Sequence, residues 1–146
     1  MKFRLVIDKE KDEEVTATVH NPSALTEQLE ALVMAYAGSD RITAYTEDDW
    51  KMLPFSEIEC ITVMDGKVWA IDQKGDRYRL KQRLYELEKR LPSTFIRINK
   101  STLANESRLE RFSATFSGAV DAVFRCGHRE YVSRRCFQDI KRRYDL

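Results

Sequence analysis

At 146 residues the chain is long enough to bury one core of respectable size, or one domain with a small appendage. Its 42% hydrophobic and 34% charged residues are the make-up of a folded globular protein and exclude a disordered one, and its apolar runs fall far short of the roughly 20 residues that cross a bilayer. The net charge of +1 hides an asymmetry, since residues 1–76 carry 8 basic against 16 acidic side chains and residues 77–146 carry 17 against 8. Such a split points to one part facing a polyanion; the competing reading is two halves that neutralise each other in space. The opening Met1-Lys2-Phe3-Arg4-Leu5-Val6-Ile7-Asp8 becomes charged again before a signal-peptide core forms, so a cytoplasmic protein is expected.

In residues 2–7, Phe3, Leu5 and Ile7 alternate with Lys2 and Arg4, and in residues 15–19 Val15, Ala17 and Val19 alternate with Thr16 and Thr18. Both read as strands joined across an acidic turn. Asn21-Pro22 reads as a helix cap followed by proline in the first turn. Residues 24–37 then place Leu25, Leu29, Leu32, Val33 and Tyr36 on one face, and Gly38 ends the helix. A short strand is expected over residues 41–45. The acidic Thr46-Glu47-Asp48-Asp49 marks a boundary, dividing the chain into a small α+β segment, 1–46, and a domain over 47–146.

From Pro54 onward short strands separated by turn signals indicate a mainly β unit with antiparallel sheets and short helices. Residues 55–64 and 67–72 flank Asp65-Gly66, a strong two-residue hairpin signal. Lys74-Gly75-Asp76 turns the chain into a strand at 77–80. Leu80, Leu84, Leu87 and Leu91 then recur at helical spacing until Pro92 stops them. Further strands are expected at 95–98, 109–114, 119–125 and 130–132. Ser133 is placed to cap a last helix, running through Tyr144 and burying Phe137, Ile140 and Tyr144.

Catalytic signatures are absent from the sequence. His20 and His128 sit in no nucleophile or metal motif, and Gly66, Gly75, Gly118 and Gly127 stand singly in turns. Cys60, Cys126 and Cys136 do not reproduce a zinc spacing and read as small buried thiols in a reducing compartment. No enzyme activity, cofactor, metal or small-molecule substrate is therefore expected. The basic residues are more informative. Arg97 and Lys100 lie where an apolar strand runs out into a polar loop, and Arg134 and Arg135 lie at the mouth of the last helix. Cations at a helix N-terminus gain nothing from the dipole; the open amides there and the two guanidinium groups suit a phosphate or a guanine edge, and an ion pair with Glu130 or Asp139 is the competing reading.

Several stretches resemble one family. These are Ile58-Glu59 at the first hairpin, Tyr78-Arg79-Leu80 before the leucine helix, the run Leu91-Pro92-Ser93-Thr94-Phe95-Ile96-Arg97-Ile98-Asn99-Lys100-Ser101, then Leu103-Ala104-Asn105, and Val132-Ser133-Arg134-Arg135. In that order they resemble the LytTR domain of bacterial transcription regulators, from about Trp50 to the C-terminus. The resemblance implies an antiparallel β fold that inserts loops into successive major grooves of duplex DNA, as a homodimer on repeated half-sites. It further implies that Lys67 in the hairpin loop, Lys100 and Arg135 approach bases, and that Asn99, Ser101, Ser133 and Arg134 contact phosphates and fix register. The family often shows histidine at Asn99 and arginine at Lys100, and a lysine lacks the two-pronged contact with guanine. The segment before the domain is too short for the receiver domain that many members carry. Stand-alone members of this kind imply control by a membrane partner or by abundance, and the N-terminal segment is expected to mediate dimerisation or to bind such a partner. An interaction module whose basic face binds an acidic protein is the competing function.

Overall fold

The computed structural model describes residues 1–37 and 40–145. They fall into two compact units, Met1–Gly38 and Ser39–Leu146. In the smaller unit the helix α1 (Ala24–Ala37) forms over the expected residues, while Gly38, its expected terminator, lies outside the described residues. Its cap is displaced by two residues from Asn21: the Ser23 carbonyl accepts from Glu27 N–H at 3.1 Å, and Thr26 Oγ1 accepts from Ser23 N–H at 2.9 Å. A side chain reaching back to the cap residue satisfies one of the amides that a helix start leaves open.

The two strands expected over 2–7 and 15–19 do not form. Alternation alone is insufficient there, since a lone two-stranded ribbon is marginal in water. None of the described side chains before α1 is buried.

The larger unit is mainly β, with short helices. Its first strands are β1 (Arg41–Tyr45), β2 (Trp50–Pro54), β3 (Ile58–Met64), β4 (Lys67–Asp72) and β5 (Arg77–Leu80). After α2 (Leu84–Arg90) come β6 (Phe95–Asn99), β7 (Thr102–Asn105), β8 (Leu109–Ala114), β9 (Val120–Phe124), β10 (Arg129–Val132) and α3 (Arg134–Arg143). All pairings are antiparallel. One sheet has the order β2-β1-β5-β4-β3-β7-β6 and the other β10-β9-β8. The strand at 41–45, read from the sequence as the end of the N-terminal segment, is hydrogen-bonded to β2 and β5 within this sheet. β2 and β7 escaped the sequence reading, and Leu80, read both as the end of a strand at 77–80 and as the first of the leucine repeat, belongs to β5.

The large sheet is covered on both faces. On one, Ile42, Ala44, Leu53, Ile58, Ile61 and Leu103 meet Leu84, Leu87 and Leu91, so the leucine repeat buries its stripe as its spacing requires. Burying one such leucine contributes roughly 1.5–3 kcal/mol. On the other, Cys60, Ile71, Ile98 and Ala104 meet Ala122, Phe124 and Val132 of the small sheet and Ile140 of α3. Phe137 is half-buried against this second core, whereas Tyr144 is exposed, contrary to expectation. The helix turns Tyr144 toward Glu106, whose carboxylate accepts from the phenol.

Among the described residues two carboxylates, Glu59 and Asp72, are buried, and Glu59 is the more deeply so. The Glu59 carboxylate is fully buried, accepts from Arg108 Nε at 2.8 Å and takes the Cys126 amide at 2.9 Å. That hydrogen bond raises the Arg108 pKa further. Burial pushes the thiols of Cys60 and Cys126 upward, so both are protonated at neutral pH.

Candidate nucleic-acid interface

Three loops meet at one end of the larger unit, each built by a local rule. The β3–β4 hairpin turns through Asp65 at φ 52° and Gly66 at φ 73°. Positive φ at both central residues is the twist that suits a two-residue hairpin and explains the Asp-Gly pair. It presents Lys67 in the solvent.

The β6–β7 turn holds Asn99, Lys100 and Ser101. Asn99, only 9% exposed, donates from Nδ2 to the Tyr131 carbonyl at 2.6 Å and accepts the Ser101 amide on Oδ1 at 2.8 Å. Arg97 donates from Nη1 to the Lys100 carbonyl at 2.7 Å and from Nη2 to Glu88 of α2 at 2.6 Å. With its backbone held from both sides, Lys100 is left pointing outward and exposed. The turn is also tied to the first loop, because the Ser101 carbonyl accepts from Val63 N–H at 2.9 Å, next to the hairpin tip.

The third loop is the start of α3. The β6–β7 ladder skips a residue between Arg97 and Asn99, and the Ile98 carbonyl there accepts from Ser133 N–H at 2.8 Å. Ser133 caps α3, its Oγ accepting from Cys136 N–H at 3.2 Å. Arg134 and Arg135 follow as the first helical residues, both exposed. Lys100 and Arg135 are each two positions from a residue of the hydrogen-bonded Ile98–Ser133 pair, so their loops are tied at the backbone.

Several arginines of the larger unit are neutralised by acidic side chains. Among the described residues Arg97 pairs with Glu88, Arg108 with Glu59, Arg129 with Asp121, Arg142 with Asp139 and Arg143 with Glu106. Asp139 and Glu130, the partners suggested for the α3 arginines, are engaged by Arg142 and His128 instead. Among the described residues Lys67, Lys100, Arg134 and Arg135 form no ion pair. The first turn of α3 has no acidic residue, while its last turn holds Lys141, Arg142 and Arg143, where the dipole favours them. Two guanidinium groups therefore sit at the end of the helix that the dipole does not favour.

Lys67, Lys100, Arg134 and Arg135 are thus exposed, and Ser101 and Ser133 are half-buried within the same loops. Asn99 lies among them but has its amide turned inward. The sequence reading missed what holds the turn in shape: the fork from Arg97 to Glu88 and the Lys100 carbonyl, and the Tyr131 carbonyl that receives Asn99. Only Arg97, polar between Ile96 and Ile98, carried a local signal.

The LytTr DNA-binding domain family matches residues 48–145 of the chain. A protein of Staphylococcus aureus strain MSSA476, named an uncharacterized HTH-type transcriptional regulator, is 30% identical over 149 residues, covering 100% of this chain and 99% of its own. Its counterpart in strain MW2 carries the same description and matches to the same extent, 30% over 149 residues. The solved LytTr DNA-binding domain of a putative methyl-accepting/DNA response regulator from Bacillus cereus superposes with a TM-score of 0.67 at 22% identity, covering 73% of this chain and 98% of that one. That likeness is one of fold. Among the described residues of the present chain no two helices are joined by a short turn; strands separate α1 from α2 and α2 from α3. A helix-turn-helix reader needs such a pair.

Proposed function

Since this chain belongs to the LytTr DNA-binding domain family, we propose that it is a transcriptional regulator that binds duplex DNA sequence-specifically through the three converging loops. The observation that carries this reading is the set of cations at the loop tips, Lys67, Lys100, Arg134 and Arg135, left without internal partners while neighbouring arginines are paired. In this assignment Lys67, Lys100 and Arg135 approach base edges in the major groove. Ser101, Ser133 and Arg134 contact phosphates and set the register. Asn99, for which the resemblance implies a phosphate contact, acts here as a positioning residue, since its amide already serves Tyr131 and Ser101.

We assign the larger unit to DNA and the smaller to self-association, giving a homodimer on repeated half-sites. Supporting this, α1 carries Leu25, Leu29, Leu32, Val33 and Tyr36, and the smaller unit buries none of its described side chains. A membrane-protein regulator occupying that face is the other outcome. Among the described residues no helix is long and apolar enough to span a bilayer. A regulator that binds the chromosome works where the DNA is, so we assign it to the cytoplasm.

The test is fluorescence anisotropy on labelled fragments of the source genome across a salt series. Regulation through DNA requires preference for particular fragments and a linear fall of log affinity with log salt, about −0.9 per phosphate contacted. Equal binding of all fragments at physiological salt, together with an acidic protein that co-purifies, would replace this reading with the interaction module.

A further inference from the structure

We infer that Cys60, His128 and Glu130 form a binding site for one transition-metal ion of the zinc class, joining the two sheets of the larger unit. The sulfur, imidazole nitrogen and carboxylate oxygen of these residues all lie within 4.8 Å of one another. Each is placed by a distinct element. Cys60, fully buried, projects from β3 on the face that meets the small sheet. His128 ends the β9–β10 turn, in which Gly127 takes φ 91° and the His128 carbonyl accepts from Phe124 N–H at 2.9 Å. Glu130 stands two residues further along, so the pleat puts it on the same face as His128. The turn is pinned from below by Glu59, the neighbour of Cys60, which holds the Cys126 amide at 2.9 Å.

The donor set selects the ion. A thiolate, an imidazole and a carboxylate suit zinc and its first-row neighbours, whereas magnesium and calcium take oxygen shells. Two anionic ligands neutralise a dication, and the Cys60 thiol proton leaves to solvent on binding. Ligand bonds of about 2.0–2.3 Å in a tetrahedron demand donors closer together than the present envelope. His128 Nε2 and Glu130 Oε1 already lie 2.8 Å apart, with side chains 28% and 18% exposed, so the ion replaces their hydrogen bond by a small rotation of half-buried groups. The solvent side of His128 leaves the fourth position to water, the usual arrangement when a zinc ion has three protein ligands. No spacing rule finds this set, because Cys60 comes from a different sheet, far from His128 in sequence.

The experiment uses the full chain, treated with a chelator, dialysed and titrated with Co²⁺. The site requires one equivalent of tetrahedral Co²⁺, seen in its visible bands and in a sulfur-to-cobalt charge-transfer band in the near ultraviolet, with Zn²⁺ displacing it. Cys60→Ser abolishes the charge-transfer band; Cys126→Ser and Cys136→Ser keep it. His128→Gln and Glu130→Gln weaken Co²⁺ binding by more than the roughly 10–100-fold lost with an outer-shell partner. These two variants also carry the test should Cys60→Ser fail to fold, since their side chains are only half-buried. A folded wild-type chain with no charge-transfer band, a band that survives Cys60→Ser, or one lost with Cys126→Ser overturns the assignment.

Discussion

Replacing Asn99 by alanine separates a positioning residue from a contact residue. The substitution removes the donor to the Tyr131 carbonyl and the acceptor of the Ser101 amide, bonds of 2.6 and 2.8 Å. Each buried polar group left without a partner costs about 1–3 kcal/mol. Tyr131 is exposed and Ser101 half-buried, so water replaces part of both bonds. The net loss of folding stability is therefore about 1–3 kcal/mol in all, not per bond. For a domain near 100 residues, a drop of roughly 4–12 °C in Tm follows. DNA affinity falls too, since the turn carrying Lys100 loses its tie to β10, but by an amount near tenfold, about 1.4 kcal/mol. Thermal unfolding by circular dichroism and anisotropy on a selected fragment measure the two losses on one sample. An Asn99→Ala protein that melts within a degree of wild type yet binds DNA a hundredfold more weakly would refute the reasoning and put the amide on the DNA.

Other substitutions probe the supports of the larger unit. Arg108→Ala strands the fully buried Glu59 carboxylate and should cost about 3–5 kcal/mol in urea unfolding, while the double change to apolar residues of similar volume should recover much of that loss. Ser133→Ala removes the cap of α3 and is expected to cost about 1 kcal/mol, with helix signal lost at a lower denaturant concentration. Gly66→Ala meets no atom within 4 Å, so only its left-handed backbone is strained, at a cost of about 1–2 kcal/mol in the same assay.

What the sequence made legible was local. Asp65-Gly66 announced the hairpin, the leucine spacing announced α2, and Ser133 announced its own cap, because each depends on neighbours within a few residues. The convergence of the loops was not legible. It rests on β3 pairing with β7 at Thr62 and Thr102, on the Ile98 carbonyl released where the ladder skips a residue, and on an asparagine reaching the Tyr131 carbonyl. Such contacts join positions that no periodicity connects. The converse failure is at the N-terminus, where Phe3, Leu5 and Ile7 alternate as a strand does but form none. β2 was hidden in the opposite way: Trp50–Pro54 alternates weakly and ends in proline, yet the edge of the large sheet tolerates both.

The most direct measurement of the central idea compares Lys100→Ala, Arg135→Ala and Lys89→Ala on one selected DNA fragment and on a scrambled one. Lys89 lies on α2, outside the three loops themselves. Loss of about 1–3 kcal/mol on the selected fragment for each of the first two, with a much smaller and sequence-blind loss for the third, is the predicted pattern. Equal, small losses for all three on both fragments would contradict it.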